Sequence, residues 1–176
     1  MLHVPVPGCG DLSLEHLVLD ANGTLTDRGE LIPRVGEALR RLRGELALHL
    51  LSADTFGKAE ELAAQLGAAF GRVESGAEKA GYIERLGAAS CVAVGNGRND
   101  VPMLEAAALG IAVLGPEGTA GAAVAAADVV ARSVQEALVL LAEPMALTAT
   151  CAHDWRRPAL RYDAPLRAMR PALTAL

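Results

Sequence analysis

Aromatic side chains make up only 3% of the 176 residues, so any core must be filled by Val, Leu, Ile and Ala. Cysteine is also scarce. Cys9, Cys91 and Cys151 are odd in number, far apart and in no CxxC pair, which excludes a disulfide framework and a zinc site. There is no excess of positive charge. A net charge of −5 argues against a general binder of nucleic acid or of anionic membranes. Long hydrophobic runs are missing: the longest, such as "AAALGIAVLG", fall short of the ~20 residues that span a bilayer. The opening "MLHVPVPGCGDL" has no basic leader and no apolar stretch of signal-peptide length. These absences predict a soluble, cytoplasmic chain with no nucleic acid and no membrane among its partners.

What is present is apolar content, 52% of the chain, enough for one domain with a substantial core. Short apolar runs at 16–20, 46–52, 68–73, 91–95, 110–115 and 127–131 read as strands. Between them, 33–43, 57–66, 78–86, 100–108, 120–127 and 134–141 read as helices. Pro33 suits a first helical turn, and Gly67, Gly87 and Gly110 sit where helix C-caps belong. Continuously apolar strands alternating with helices indicate a parallel sheet covered on both faces. The expectation is a doubly wound, Rossmann-like α/β sandwich of three layers over 1–145. Beyond it, 146–176 is a tail or docked arm rich in Pro and Arg, and its arginines read first as a solvated terminus.

In an open parallel sheet, ligands bind beyond the carboxyl ends of the strands. The first expected strand ends at Asp20, followed by Asn22, Gly23 and Thr24. The second ends at Ser52, with Asp54 just after it; Asp54 reads as a cap for the helix beginning near Gly57. The fourth ends at Gly95, followed by Asn96, Gly97, Arg98, Asn99 and Asp100. Lys79 opens a helix and is one of only two lysines, with Lys58, among sixteen Lys and Arg residues. A carboxylate at a rigid strand end can attack phosphorus. Mg²⁺ takes oxygen ligands, and Asp20 and Asp100 offer two. A hydroxyl and an ammonium can hold phosphoryl oxygens as charge spreads, and glycines let backbone N–H groups approach them. The four histidines have no metal-ligand spacing.

"DANGT" (20–24), Ser52 in "LLSADT", Lys79 and "GNGRND" (95–100) resemble, in order, the four motifs of the haloacid dehalogenase superfamily. The resemblance spans roughly 15–142. "SAD" and the non-acidic third position of the first motif look most like the phosphorylation domain of P-type ATPases. Only about thirty residues separate Asp20 from Ser52, which leaves no room for a nucleotide-binding or large cap domain. The resemblance implies a Mg²⁺-dependent phosphohydrolase with Asp20 as nucleophile and Asp20, Asn22, Asn96 and Asp100 around the metal. It implies that Gly23, Thr24, Ser52, Ala53, Lys79 and Asn99 surround the phosphate.

Two positions depart from the family pattern. An acid normally two residues after the nucleophile protonates the leaving oxygen and then activates water. Asn22 does neither, a loss typically worth ~10²–10⁴-fold. Asn96 stands where the family has an acid near the metal, so metal affinity should fall. Three readings follow: a slow phosphohydrolase, or one suited to good leaving groups such as acyl phosphates; a non-hydrolytic module that binds phosphate or Mg²⁺ or holds a phosphoryl group; and a protein-interaction scaffold. The expected partner is a phosphorylated small molecule or protein. A second copy of the chain, which could complete the open cleft, would make a homo-oligomer. Asn22-Gly23 and Asn96-Gly97 are also contexts in which slow deamidation could install acids.

Overall fold

The computed structural model describes residues 1–6, 10–54 and 58–151. It opens with an antiparallel hairpin, β1 (Leu2–Val6) and β2 (Gly10–Leu14). In "LHVPV" every second residue is buried, the signature of a strand with one wet face. The central layer follows: β3 (His16–Asp20), β6 (Ala47–Ser52), β7 (Ala69–Arg72), β8 (Cys91–Gly95), β9 (Leu109–Val113) and β10 (Val129–Ala131). These six are parallel throughout, in the order β10-β9-β8-β3-β6-β7. A minimal hairpin, β4 (Thr26–Asp27) and β5 (Glu30–Leu31), leaves the end of β3.

Among the described residues seven helices cover the layers: α1 (Val35–Leu42), α2 (Lys58–Leu66), α3 (Gly76–Leu86), α4 (Val101–Ala106), α5 (Gly121–Ala126), α6 (Val134–Ala142) and α7 (Pro144–Cys151). The inner strands β3, β6, β8 and β9 are buried on both faces, so successive residues serve different cores. Leu17, Leu19, Leu48, Leu50, Val92 and Val94 pack with α1, α2, α6, α7 and the first hairpin. Val18, Leu51, Cys91 and Ala93 pack with Ile83 of α3, Met103 and Leu104 of α4, and Ala123 of α5. This is the doubly wound α/β architecture expected from the alternation of runs, and the expected strands and helices fall within about two residues of the observed ones, the usual ambiguity of element ends.

Some expectations are corrected. Pro33 lies outside α1: the cap is Arg34, in the left-handed region at φ 68, and the helix starts at Val35. Gly110 is no C-cap but an interior residue of β9; a Cβ there would collide with the Leu104 carbonyl, so its smallness lets α4 lie close on the strand. Both hairpins and α7 are additional elements. In α7, Leu147 and Cys151 join the same core as the first hairpin, so described structure continues through the start of the arm expected over 146–176; its remainder, 152–176, lies outside the described residues, as does Cys9. Among the described residues no single helix is long and apolar enough to cross a membrane.

Strand order reverses at β3. The chain goes from β3 outward to β6 and β7, then returns to β8 on the other side. The crevice at that reversal lies between the carboxyl ends of β3 and β8, where Asp20 and the 96–100 turn emerge.

Candidate active site

The site is built from a helix start and two strand ends. Ser75 caps α3: its hydroxyl accepts the Glu78 N–H at 3.2 Å, and the Glu78 carboxylate returns to the Glu74 N–H at 2.9 Å. One turn in, Lys79 falls on the inward face and is 2% exposed. Its ammonium donates to Asp20 Oδ1 at 2.5 Å and to Asp100 Oδ1 at 2.6 Å. A buried lysine is stable only when its charge is met. Here one cation bridges two carboxylates, themselves buried, from residues 59 and 21 positions away.

Asp100 ends a single 3₁₀ turn, Arg98–Asp100. Its Oδ2 accepts the N–H of Asn96 at 2.9 Å and of Gly97 at 2.7 Å, while Oδ1 faces Lys79. Asp20 is less well provided. Burial, then the neighbouring Asp100 charge, pushes its pKa up to about 6 against the opposing pull of Lys79 and Thr24. Burial lowers the Lys79 pKa, but the two carboxylates outweigh it and the ammonium is held charged.

Ser52 ends β6 one position beyond the residue paired with Asp20, and is 3% exposed. Its hydroxyl accepts the Asp54 N–H at 3.1 Å, so its own proton can go to a ligand oxygen. Asp54, in the left-handed region at φ 44, accepts the Ala59 N–H at 2.8 Å and the Glu60 N–H at 3.4 Å. That is the cap expected for α2. A cavity of about 790 Å³ opens beside Asn22, Ser52 and Asp54, between the β4–β5 hairpin and α2, with Arg28, Lys58 and Glu61 on its walls.

Asn22 is exposed on the turn after β3, and Gly23 behind it is buried at φ 73. Thr24 is fully buried and donates to Asn96 Oδ1 at 3.0 Å. Ala53 and Asn99 are exposed, and the Asn99 amide folds back over Gly97. The structure therefore gathers Asp20, Lys79 and Asp100 by direct bonds, joins Thr24 and Asn96 beside them, and puts Ser52 on the same sheet edge. A loop absent from the sequence reading, 115–120, closes the far side. Asn96 Nδ2 donates to the Gly118 carbonyl at 2.8 Å, and the Ala120 N–H donates to the Asn96 carbonyl at 2.9 Å. Its local signal was only the turn-forming "GPEG".

Deamidation at either Asn-Gly pair is opposed. The attacking nitrogen at Gly23 is bonded to the Thr26 carbonyl at 3.1 Å, and that at Gly97 to Asp100 Oδ2. As for a metal, no group of three or more His, Cys, Asp or Glu side chains among the described residues could hold one. Two carboxylates with otherwise oxygen donors suit a hard cation that keeps most of its waters and takes further oxygens from a phosphate.

No family model matches the chain. An uncharacterized protein of Methanocaldococcus jannaschii is 41% identical over 59 residues, which is 34% of this chain and 63% of that protein. The chain thus matches less than two thirds of that curated relative's length. The cobalt-bound deoxy-D-mannose-octulosonate 8-phosphate phosphatase of Haemophilus influenzae superposes with a TM-score of 0.64 at 17% identity, covering 78% of this chain and 92% of that one. The Moraxella catarrhalis 3-deoxy-D-manno-octulosonate 8-phosphate phosphatase, solved with magnesium, phosphate and sugar acid, gives 0.62 at 18%, again over 78% and 92%. A zinc-transporting PIB-type ATPase gives 0.58 at 27%, over 68% of this chain and 20% of that one. The fold is that of the haloacid dehalogenase superfamily.

On a haloacid dehalogenase fold the four motif segments of this chain stand in the expected order around one crevice. Phosphatases and a P-type ATPase both appear among the structural neighbours, in agreement with the double resemblance of "DANGT" and "SAD". Between Asp20 and Ser52 the chain carries only the β4–β5 hairpin and α1, with no inserted domain.

Proposed function

We propose that this chain is a phosphohydrolase that transfers a phosphoryl group from substrate to Asp20 and then to water. The observation that supports it best is the buried Lys79 ammonium held between Asp20 and Asp100 at the carboxyl edge of the sheet. A structural ion pair has no need of a second carboxylate or of this position.

The Lys79 ammonium keeps Asp20 aimed into the crevice and offsets part of its charge. An Asp20 oxygen forms the new bond to phosphorus as the bond from phosphorus to the leaving oxygen breaks. Ser52 and the backbone of the 21–24 turn hold the phosphoryl oxygens while charge spreads over them. Water then attacks the same phosphorus as the bond from phosphorus to the Asp20 oxygen breaks; its protons pass to the departing phosphate and to solvent, and the Asp20 carboxylate is restored. Asp20 and Asp100, with the Asn22 carbonyl, are the groups that would hold Mg²⁺, which supplies charge neutralisation at the phosphoryl oxygens.

Asn22 lines the cavity where a leaving group would sit, yet it carries no titratable proton. This favours substrates whose leaving oxygen needs no protonation, acyl phosphates foremost, carried by a small molecule or by a protein. The neighbouring phosphatases act on phosphorylated small molecules, as their names state, which supports the same class. Turnover of acetyl phosphate and of an alkyl phosphate by wild type, Asp20→Asn and Asn22→Asp tests this. Expected are Mg²⁺-dependent hydrolysis of acetyl phosphate, its loss in Asp20→Asn, and a gain on the alkyl phosphate of ~10²-fold in Asn22→Asp. Hydrolysis in Asn22→Asp alone would instead favour a module that binds phosphate without turning it over.

A further inference from the structure

Asn96 uses every polar atom it has. Its N–H goes to Asp100 Oδ2, its carbonyl accepts the Ala120 N–H, its Oδ1 accepts the Thr24 hydroxyl, and its Nδ2 donates to the Gly118 carbonyl. The orientation of the amide is forced, because the Gly118 carbonyl can only accept. The residue is 8% exposed, so these bonds are shielded from competing water. Around it the chain is tight: a Cβ on Gly23 would lie 2.6 Å from Nδ2, and one on Gly115 would meet the Gly23 carbonyl. Asn96 thus joins three loops, the 21–24 turn, the 96–100 turn and the 115–120 loop.

We propose that Asn96 is a positioning residue: its neutral amide latches the 115–120 loop onto the phosphate-facing turn through two hydrogen bonds, one to Thr24 and one to the Gly118 carbonyl. A carboxylate could still accept from Thr24. It could not donate to Gly118, and its oxygen would face a carbonyl oxygen instead. It would also add a third negative charge to a pocket with one ammonium. The amide lets the crevice stand preorganised before any cation arrives. The link to phosphate rests on the phosphohydrolase reading; the latch itself rests on geometry alone.

The test is hydrogen–deuterium exchange of the 115–120 segment, in EDTA and in magnesium, for wild type, Asn96→Asp and Asn96→Ala, with titration of magnesium and of orthophosphate alongside. Exchange in EDTA is expected to rise on the order of tenfold in both variants, the size of one lost buried hydrogen bond, with α1 and α6 unchanged. Orthophosphate binding in EDTA is expected to weaken several-fold in Asn96→Ala, which alters no charge. A residue that is merely structural would lower stability and leave that affinity unchanged. Asn96→Asp exchanging as slowly as wild type in EDTA would overturn the latch, as would unaltered orthophosphate affinity in folded Asn96→Ala. Should either variant fail to fold, Thr24→Val cuts the other arm and leaves the bond to Gly118 in place: the 21–24 turn should exchange faster while 115–120 stays slow, and unchanged exchange at 21–24 overturns the proposal. If wild type binds no orthophosphate, the phosphohydrolase reading falls, and the exchange data still decide the latch.

Discussion

Lys79 is the residue on which the site's electrostatics turn. Removing it strands two buried carboxylates, and breaking a buried pair costs ~3–5 kcal/mol. Lys79→Met should therefore lose that order of stability in urea denaturation, as well as all turnover. Asp20→Asn should do the opposite to stability. Asp20 is held as an anion against burial and the Asp100 charge, so the neutral amide relieves the native state. A gain in unfolding free energy of about 1 kcal/mol with abolished turnover is expected, the trade-off usual where function needs a strained group. A destabilised Asp20→Asn would count against this electrostatic account. The types of these residues were legible from the chain; that Lys79 is buried was not. Beside Glu78 it also reads as part of a solvated helix face, and only the packing of α3 on the sheet turns it inward.

At the scale of elements, β3, β6 and α3 share a hydrogen-bonded chain that the mechanism does not use. His16 Nδ1 lies 3.1 Å from His49 Nε2, and His49 Nδ1 lies 3.1 Å from the Tyr82 hydroxyl. Burial, then the neighbouring His16, lowers the His49 pKa to about 4. The unfolded chain, with an ordinary histidine near 6.5, binds the extra proton between these values. The stability contributed by His49 is thus fully present above pH ~6.5 and falls as pH drops toward ~4, by on the order of 2 kcal/mol, while Asp20, with its pKa raised to about 6, acts in the opposite sense between about 4 and 6. Urea denaturation of wild type and His49→Leu at pH ~4.5, ~5.5 and ~7.5 should show this contribution as a loss of stability at low pH, relative to the variant, that is absent at pH ~7.5. Elements differed in how far the sequence announced them. β3, β6 and β8 are apolar runs bounded by polar turns. β4 and β5 have two residues each, too few to show any period, and Pro5 obscured the alternation of β1. Helix α7 lacks a polar face, so its sequence carries no helical period. Its Leu147 is fully buried, and Leu147→Ala should cost ~2–5 kcal/mol by denaturation, the outcome expected if the folded unit extends beyond 145.

For the whole molecule, the crevice sits where strand order reverses, and its groups come from four distant segments. The protein supplies its own cation there, so chelation should leave the far-ultraviolet circular dichroism unchanged while acetyl phosphate turnover falls. Loss of the folded signal in EDTA would mean that metal, and not Lys79, holds the segments together. The amino-acid sequence by itself determined the layered α/β architecture, because burial on both faces writes continuous apolar runs into parallel strands. It also determined which polar residues stand at the strand ends. Tertiary structure alone decided that one ammonium lies between two carboxylates, and that the Asn96 amide is spent on Thr24 and on Gly118, 72 and 22 positions away. Local periodicity reports which face of an element is buried. It says nothing of which atom, across a closed loop, each polar group will meet.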